Sequence, residues 1–273
     1  MSTSDRERPS LAKYRPVYFD DLVRLGRDYD GGYVLPRRVV VAGSALLSVG
    51  VNDDWSFEED AVAINPKLKI TCIDNRTDLG LIVKKTLQKA VDLIGALATF
   101  RKVKISRNAR YVATKISSFR RFFGRHELRK LTVSATPGPG RVTLPELIDA
   151  MYGDWLLVKC DIEGSEYDVL PPASGKWHRV AALLVEFHGL HKNWAQFVAC
   201  MNELSSHFLV AHVHGNNFDG YVPGTMVPRT VELTLVNRKL VDSVPVQSTA
   251  EYPLANLDMP CSWKRPDLPL SFS

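Results

Sequence analysis

Acidic side chains follow an apolar, strand-like run in the stretch WLLVKCDIEGSEYDVL, residues 155–170. Side chains alternate between the two faces of a strand, so Lys159, Asp161 and Glu163 are expected to share one face. Carboxylates at such a position can accept a proton, stabilise a positive charge or bind a metal ion. The stretch therefore predicts a reaction centre or a cation site where this strand ends.

Three further strand-like segments also end in polar side chains. Asp74 ends one of them, Glu186 and His188 end a second, and His214 lies near the end of a third. Ligands of open α/β sheets bind beyond the carboxyl ends of the strands. If neighbouring strands are in register, we expect Glu186, His188 and His214 to lie close to Asp161 at that edge of the sheet.

Strand and helix patterns alternate along the chain. Segments typical of core strands occur at 45–50, 69–74, 155–161, 180–188, 208–215 and 231–237. Between the first two, Ser56 and Glu59 have capping-box spacing and predict the start of a helix that Pro66 ends. Residues 77–100 predict an amphipathic helix with one apolar stripe, which consists of Val83, Leu87, Val91, Ile94 and Leu97. This alternation predicts an α/β fold with a mostly parallel sheet flanked by helices.

Length and composition fit one large globular unit. The chain has 273 residues, of which 45% are hydrophobic. Its four cysteines are far apart and form no Cys-x-x-Cys pair, which argues against a disulfide framework and a zinc ribbon. The polar first residues and the lack of about 18 consecutive apolar residues argue against a signal peptide and a membrane span. We therefore expect a cytoplasmic protein with reduced thiols.

One stretch, residues 101–130, is strongly basic. It holds eleven Lys and Arg and one acid, Glu127, although the net charge of the chain is only +5. Such a stretch can bind an anionic partner, for example nucleic acid, a lipid headgroup or an acidic glycan. The alternative is a solvated helix face, because Val112, Ile116 and Phe119 fall at helical spacing and would bury the opposite side. The sequence leaves both interpretations open.

The loop after the first strand distinguishes between two kinds of cofactor. Gly50, with Asp74 following 24 positions later, outlines a nucleoside site whose acid binds the ribose hydroxyls. A dinucleotide would bring a pyrophosphate to this loop. The loop and the helix after it carry four acids: Asp53, Asp54, Glu58 and Glu59. At about 4 Å and an effective dielectric constant near 20, each unit-charge pair is worth roughly 4 kcal/mol.

These acids would repel a pyrophosphate and attract a cation. S-adenosylmethionine contains adenosine, carries a positive sulfonium and an ammonium, and has no phosphate. The loop therefore favours S-adenosylmethionine over NAD. The alternative is that acids in the first turn complement the helix dipole, which accounts for Glu58 and Glu59 better than for Asp53 and Asp54.

Short motifs surround the acidic strand end in a fixed order. Before it come RLGRDYDGGYVLP, LLSVGVNDDWSFE, CIDNR and RVTLPEL, and after it come LLVEFHGL, HVHGNNF, PRTVELTLVNR and LDMPCSWKRPDLPL. The central stretch, LVKCDIEGSEYDVL, is similar to the K-x-D-x-E-G-x-E signature of the FkbM-type S-adenosylmethionine-dependent methyltransferases, and the other motifs resemble that family in the same order. The resemblance extends from about residue 24 onward and implies a Rossmann-like class I methyltransferase fold. Two features depart from it: the first loop lacks a G-x-G repeat, and residues 101–130 match no family motif.

The resemblance also implies a reaction. S-adenosylmethionine is the expected cofactor, and a hydroxyl of a small-molecule sugar or glycan-like acceptor is the expected methyl acceptor. Methyl transfer to oxygen is an in-line displacement that requires alignment and removal of the hydroxyl proton. We expect Asp161 or His188 to be the base and Glu186 to orient the histidine. Three polar side chains are expected to bind the acceptor: His214, Asn216 and Asn217.

The cofactor site is expected to draw side chains from several loops. The predicted contacts are Asp30, Gly50, Asn52, Asp53, Glu58, Asp74 and Asp161. Gly31 and Gly32 permit a tight turn at DYDGGYVLP, so this loop either closes over the cofactor or is a simple turn.

One methyltransferase domain is expected to span residues 1–273. Within it, we expect residues 1–40 to form a cofactor or lid segment and residues 101–130 to form a basic helical insertion. Residues 241–273 are expected to form an extended C-terminal segment that packs on the core.

Four other assignments stay open. A divalent metal, which is not favoured, would be held by a mixed oxygen and nitrogen set: Asp161, Glu186, His188 and His214. A nucleotide-dependent Rossmann oxidoreductase is the second, although the acidic loop argues against it. A protein that binds nucleic acid or methylates RNA through residues 101–130 is the third. The last is structural, since Asp161 and Glu163 could cap a helix that begins near Ser165.

Overall fold

The computed structural model describes residues 8–99, 102–241 and 244–273. Its strands are β1 (Leu22–Leu25), β2 (Tyr33–Pro36), β3 (Ala45–Val49), β4 (Lys69–Ile73), β5 (Glu127–Arg129), β6 (Thr132–Val133), β7 (Arg141–Val142), β8 (Leu156–Cys160), β9 (Val180–Phe187), β10 (Phe208–Gly215) and β11 (Val231–Asn237). Its α-helices are α1 (Arg37–Ala42), α2 (Ser56–Ile64), α3 (Leu79–Ala98), α4 (Lys102–Phe123), α5 (Leu144–Ala150), α6 (Glu166–Val169) and α7 (Leu190–Leu204). Short 3-10 helices cover Ala12–Tyr14, Pro171–Arg179 and Arg238–Leu240.

Seven strands form one central sheet in the order β10-β11-β9-β8-β3-β4-β5. β11 is antiparallel to β9 and β10, and the other neighbouring pairs are parallel. The order reverses between β3 and β8, which is where doubly wound sheets open a crevice for ligands. The α/β class, the mostly parallel sheet and the Rossmann-like class I arrangement expected from the sequence are confirmed.

The sheet divides the hydrophobic core into two layers. Leu47 and Val158 point into the layer that α5, α6 and α7 cover. Their neighbours Leu46 and Leu157 point into the layer that α1, α2 and α4 cover. Strand alternation therefore places Lys159, two residues after Leu157, on the side of the second layer. The parallel strands read as continuous apolar runs because helices cover both faces of the sheet.

The ends of β3 and β8 approach each other closely at Gly50. This residue has φ +85°, and a Cβ atom built on it would lie 1.7 Å from the carbonyl oxygen of Asp161. The backbone N–H of Asp161 donates to the carbonyl of Val49 at 3.1 Å, and that of Gly50 donates to Ile73 at 3.0 Å. Only glycine combines this conformation with this close approach. Gly50 thus fixes where Asp161 leaves the sheet.

Helix α2 forms where the sequence predicts it, but its cap is different. Trp55 is the N-cap residue and makes no side-chain cap hydrogen bond, so the predicted capping box of Ser56 and Glu59 is wrong. Because the helix starts one residue earlier than predicted, the Ser56 hydroxyl is free for other partners. It donates to Asp54 at 3.0 Å and accepts from the backbone N–H of Arg27 at 2.9 Å. Ser56 thereby connects α2 to the loop that follows β1.

Helices α3 and α4 follow β4 and pack along each other as a helical hairpin. The helical part of the basic stretch ends at Phe123, and Glu127–Arg129 form strand β5, which pairs with β4 at the edge of the sheet. The apolar stripe predicted on α3 is present, and its side chains are exposed. The buried residues of α3 are Ile82, Thr86 and Ala96. Within the described residues, no helix has the length and apolar character needed to span a membrane.

The last described segment, residues 244–273, runs over the core and has no helix or strand of its own. The N–H of Ser248 donates to the carbonyl of Pro16 at 2.9 Å, and that of Leu270 donates to Tyr252 at 3.0 Å. Within this segment, the side chain of Cys261 is buried.

Substituting Gly50 tests the close approach. Gly50→Ala should lower the free energy of unfolding by about 3 kcal/mol, because it adds a clash to a backbone conformation that alanine disfavours. Urea denaturation measures the change. The control is Gly95→Ala, since Gly95 lies within α3 with no heavy atom within 4 Å of a Cβ built there. That variant should raise the free energy of unfolding by up to about 1 kcal/mol. Equal effects in both variants would contradict the role of Gly50.

Candidate functional site

A cavity of about 540 Å³ opens at the carboxyl ends of β3, β4, β8 and β9. This volume is in the range of small-molecule and cofactor sites. Eight of its lining side chains are carboxylates: Asp30, Asp53, Asp54, Asp74, Asp161, Glu163, Glu186 and Asp219. Three are Lys or Arg, namely Arg27, Arg76 and Lys159. The lining is therefore acidic on balance.

Most of the predicted site residues line this cavity. They are Asp30, Gly50, Asn52, Asp53, Asp74, Asp161, Glu186, His188 and Asn216. Three predicted residues lie elsewhere: Glu58, His214 and Asn217.

Asp161, Glu186 and His188 form a compact cluster in the cavity. Their potential ligand atoms all lie within 4.8 Å of one another. The carboxyl groups of Asp161 and Glu186 therefore lie side by side in the cavity. Asn216 donates to Glu186 Oε1 at 2.8 Å, and His188 Nε2 lies 3.6 Å from Glu186 Oε2. The convergence predicted for these strand ends is therefore present, and the capping alternative finds no support because α6 has no side-chain cap hydrogen bond.

Two buried carboxyl groups this close do not both ionise readily. Burial raises the pKa of Asp161, although the charges of Lys159 and His188 oppose the shift. Burial also raises the pKa of Glu186 well above its usual range, and the neighbouring Asp161 and Glu232 carboxylates add to the shift. The pair therefore holds a proton more tightly than ordinary carboxyl groups do, and such a proton can be exchanged with a substrate.

Glu166, rather than Glu186, orients the histidine. His188 Nδ1 lies 2.9 Å from Glu166 Oε1, and the same oxygen accepts the N–H of Gly164 at 3.0 Å. Burial alone would lower the pKa of His188, but the hydrogen bond and charge of Glu166 outweigh it and raise the pKa. Glu166 was not among the predicted site residues. Its signal was present, because a buried acid in the first turn of α6 follows the acidic strand end directly.

Lys159 is a buried cation beneath the carboxylates. Burial opposes its charge, but the charges of Glu58, Asp161 and Asp54 raise its pKa. Glu58 is fully buried, accepts a hydrogen bond from Ser48 and has its own pKa raised by burial. The expected contact of Glu58 with the cofactor is therefore corrected: its side chain lies under the cavity and compensates the charge of Lys159.

The loop after β3 is held by Asp74. Its Oδ2 atom accepts the backbone N–H of Asn52 at 2.8 Å, and its Oδ1 atom accepts those of Arg76 and Thr77 at 2.7 and 2.9 Å. Asn52 has φ +52°, so the loop turns sharply at this residue. A carboxylate has about four lone-pair sites, and Asp74 thus retains acceptor capacity towards the cavity.

Helices α3 and α4 also contact this loop. Lys85 on α3 donates to Asp53 at 2.9 Å and to Asn52 at 2.8 Å, and Tyr111 on α4 donates to Asp53 at 2.9 Å. Burial would raise the pKa of Asp53, but the hydrogen bonds from Lys85 and Tyr111 lower it on balance. Asp53 therefore stays ionised and is already paired with a cation.

The loop after β1 closes one side of the cavity. Arg27 Nε lies 3.1 Å from Asp54 Oδ2 and also donates to the carbonyl of Asp30. Gly31 has φ +93°, which allows the tight turn that the paired glycines predicted. The turn presents Asp30 to the cavity, where burial raises its pKa.

His214 lies away from the cluster because β11 is inserted between β9 and β10. His214 Nδ1 is 2.9 Å from Glu232 on β11, and Nε2 is 3.0 Å from Asp267 in the C-terminal segment. Despite burial, the hydrogen bonds that the ring of His214 makes with Asp267, Cys261 and Glu232 raise its pKa well above the usual range. The expected contact of His214 with the acceptor is corrected: it ties the C-terminal segment to the sheet.

Asn217 has a similar role. Its side-chain amide donates to the carbonyls of Ser262, Arg265 and Pro266 at 3.0 to 3.1 Å, and its oxygen accepts the N–H of Ser262 at 2.6 Å. Both N–H groups of this amide and one lone pair of its oxygen are therefore engaged. The expected contact of Asn217 with the acceptor is therefore also corrected.

A cation is a second possible occupant of the cluster. Asp161 and Glu186 offer oxygen ligands, and His188 offers Nε2 because its Nδ1 is held by Glu166, an arrangement typical of metal-binding histidines. His214 does not belong to this set, in contrast to the prediction. It forms a separate buried group with Glu232 and Cys261.

Comparisons with known proteins give weak similarities. No family model matches the sequence, and no curated protein matches it. Among solved structures, a precorrin-6y C5,15-methyltransferase from Geobacter metallireducens GS-15 has 10% identity and a TM-score of 0.35, covering 74% of this chain and 88% of its own. A fibrillarin/Nop5p complex has 10% identity and a TM-score of 0.37, with 82% and 98% covered. The antibiotic-resistance methyltransferase Kmr has 13% identity and a TM-score of 0.34, with 79% and 99% covered. Such weak likenesses do not identify a function, which has to be inferred from the cavity itself.

Replacing Glu166 tests how His188 is controlled. Glu166→Gln should move the titration midpoint of His188 to lower pH, because the imidazolium loses its partner carboxylate while it remains partly buried. NMR titration of the His188 ring protons measures the midpoint. Glu163→Gln is the matched control, since Glu163 lies 3.7 Å from His188 Nε2 but its side chain is 88% exposed. The control should move the midpoint less, and an unchanged midpoint in Glu166→Gln would contradict the assignment.

Proposed function

We propose that this protein is an S-adenosylmethionine-dependent methyltransferase that methylates a hydroxyl oxygen of a sugar or glycan-like acceptor. The observation that carries the proposal is the charge of the cavity, where eight carboxylates face three Lys or Arg side chains at the carboxyl ends of a Rossmann-like sheet. Such a lining attracts a sulfonium and an ammonium and repels a pyrophosphate. When bound, S-adenosylmethionine supplies an activated methyl group.

The loops around β3 and β4 fit an adenosine moiety. Asp74 follows β4 and retains acceptor capacity for ribose hydroxyls, and Gly50 lets the backbone of the first loop pass close to Asp161. The charge of Asp53 is balanced by Lys85, so Asp53 mainly holds the loop in place and adds little net negative charge to the cavity. Other carboxylates of the lining, among them Asp161 and Asp30, supply the negative charge available to a cationic group.

The clustered carboxyl groups fit the proton transfer that the reaction requires. The bound donor would supply the methyl group to the acceptor oxygen and would keep the electron pair of the carbon–sulfur bond, and Asp161 would take the proton of the acceptor hydroxyl. The raised pKa of Asp161 brings it closer to the value that suits a base at neutral pH. Asn216 holds Glu186 in place, and His188, fixed by Glu166, lies beside the carboxyl pair.

The acceptor assignment rests on the resemblance and on the mouth of the cavity. Asn216 and Asp219 line the cavity with groups that can hydrogen-bond hydroxyls, and Phe218 is half-exposed between them. This mixture of one apolar ring and polar side chains suits a polyhydroxylated molecule. The motif resemblance to FkbM-type methyltransferases supports the same class of acceptor.

The compartment is part of the proposal. Four cysteines are free and buried: Cys72, Cys160, Cys200 and Cys261. Unpaired thiols are typical of a reducing compartment, and we therefore place the reaction in the cytoplasm.

A thermal-shift titration separates this proposal from its nicotinamide rival. S-adenosylhomocysteine should raise the melting temperature in a concentration-dependent way, because a ligand that binds only the folded state stabilises it. NAD, which shares the adenosine but carries a pyrophosphate, should leave the melting temperature unchanged. Stabilisation by NAD alone would reject the proposal.

Replacing Asp161 tests the chemical step. Asp161→Asn should abolish methyl transfer, measured by mass spectrometry of cell extract incubated with the enzyme and a deuterium-labelled methyl donor. Its melting temperature should stay close to that of the wild type, since asparagine preserves the shape of the side chain. Asp149→Asn is the control, because that half-exposed aspartate pairs with Lys176 outside the cavity. Full transfer activity in Asp161→Asn would refute the role of Asp161 as base.

A further inference from the structure

The helical hairpin of α3 and α4 has an exposed apolar stripe that the proposed reaction does not use. Its five aliphatic side chains are 37% to 69% exposed and recur every three or four residues along α3: Val83, Leu87, Val91, Ile94 and Leu97. At about 100° per residue, the centre of this stripe lies roughly 120° around the helix from the centre of the buried residues Ile82, Thr86 and Ala96. Contiguous exposed apolar side chains of this kind mark an interaction surface.

The hairpin is also the most basic part of the chain. Residues 79–123 hold eleven Lys and Arg and one acid, Asp92, whereas the whole chain holds 35 and 30, so the remainder has 24 cations and 29 acids. Arg110, Arg120 and Arg121 on α4 are exposed, as is Lys84 beside the stripe. The strong positive charge and the apolar stripe therefore belong to the same pair of helices.

We propose that this hairpin docks on an anionic lipid surface. A basic amphipathic helix lies in the membrane interface with its apolar face among the acyl chains and its cations among the headgroups. Aliphatic side chains of this number contribute nothing to binding phosphates in a nucleic acid, so the stripe favours a lipid surface over RNA. A second copy of the chain would bring two hairpins of high positive charge together, which disfavours self-association through the stripe.

The docked hairpin would hold the cavity near the membrane surface. Lys85 on α3 and Tyr111 on α4 both bind Asp53, which lines the cavity. On the buried side of α4, Phe119 and Phe122 pack around Trp55, directly before α2. The hairpin is thus fixed to the loop after β3 on its inner side and leaves its outer side free to bind lipid.

Vesicle sedimentation of the full-length protein tests the proposal. The protein should sediment with vesicles of phosphatidylcholine and phosphatidylglycerol but not with phosphatidylcholine alone, and added salt should weaken the binding. The double variant Leu87→Gln/Ile94→Gln removes apolar area without adding charge and should weaken the binding about tenfold or more. Both side chains are exposed and glutamine is a good helix former, so the melting temperature should stay unchanged.

The control is Val244→Gln, because Val244 is 85% exposed and lies outside the hairpin. It should bind vesicles like the wild type. The proposal is overturned if the wild type does not bind anionic vesicles, or if the double variant binds them as well as the control does. It is also overturned if the wild type is an oligomer that the double variant dissociates, which would assign the stripe to a second copy. Tight, sequence-dependent binding of RNA that vesicles do not displace would assign the surface to nucleic acid.

Discussion

Carboxylates that are buried at the end of a sheet raise the free energy of the folded state unless each binds a proton, pairs with a cation or accepts a hydrogen bond. In this protein, the carboxylates are compensated in different ways. Asp74 accepts backbone N–H groups, Asp53 pairs with Lys85, and Asp161 lies beside Glu186 and interacts with the charge of the buried Lys159. The lining still holds eight carboxylates against three Lys or Arg side chains. Under our proposal, a positively charged methyl donor balances this excess of acids.

Sequence patterns predicted the sheet well because parallel strands that are buried on both faces read as continuous apolar runs. The same patterns placed Asp161, Glu186 and His188 together, since each follows such a run and parallel strands end at one edge. The position of His214 was predicted wrongly because the sequence of one strand does not determine which strands are neighbours in the sheet. Strand β11 lies between β9 and β10. Glu166 was missed because its role depends on the turn at Gly164, which brings it back to His188.

The amphipathic pattern of α3 shows a different limit. Its apolar periodicity correctly predicted a helix, and a core-facing stripe is the usual reason for such a pattern. The structure buries Ile82 and Ala96 instead and leaves Leu87 and Ile94 exposed. A periodic stripe specifies that a helix has an apolar face, but it does not specify whether protein or another apolar phase covers that face.

The charge of the cavity is tested most directly with two ligands that both contain adenosine but carry groups of opposite charge. Isothermal titration of the wild-type protein with S-adenosylmethionine and, separately, with ATP in the absence of divalent metal makes this comparison. An acid-lined cavity predicts saturable binding of S-adenosylmethionine and no detectable binding of ATP. Saturable binding of ATP without binding of S-adenosylmethionine would contradict the account, because the acidic lining would then not favour a cationic ligand over an anionic one.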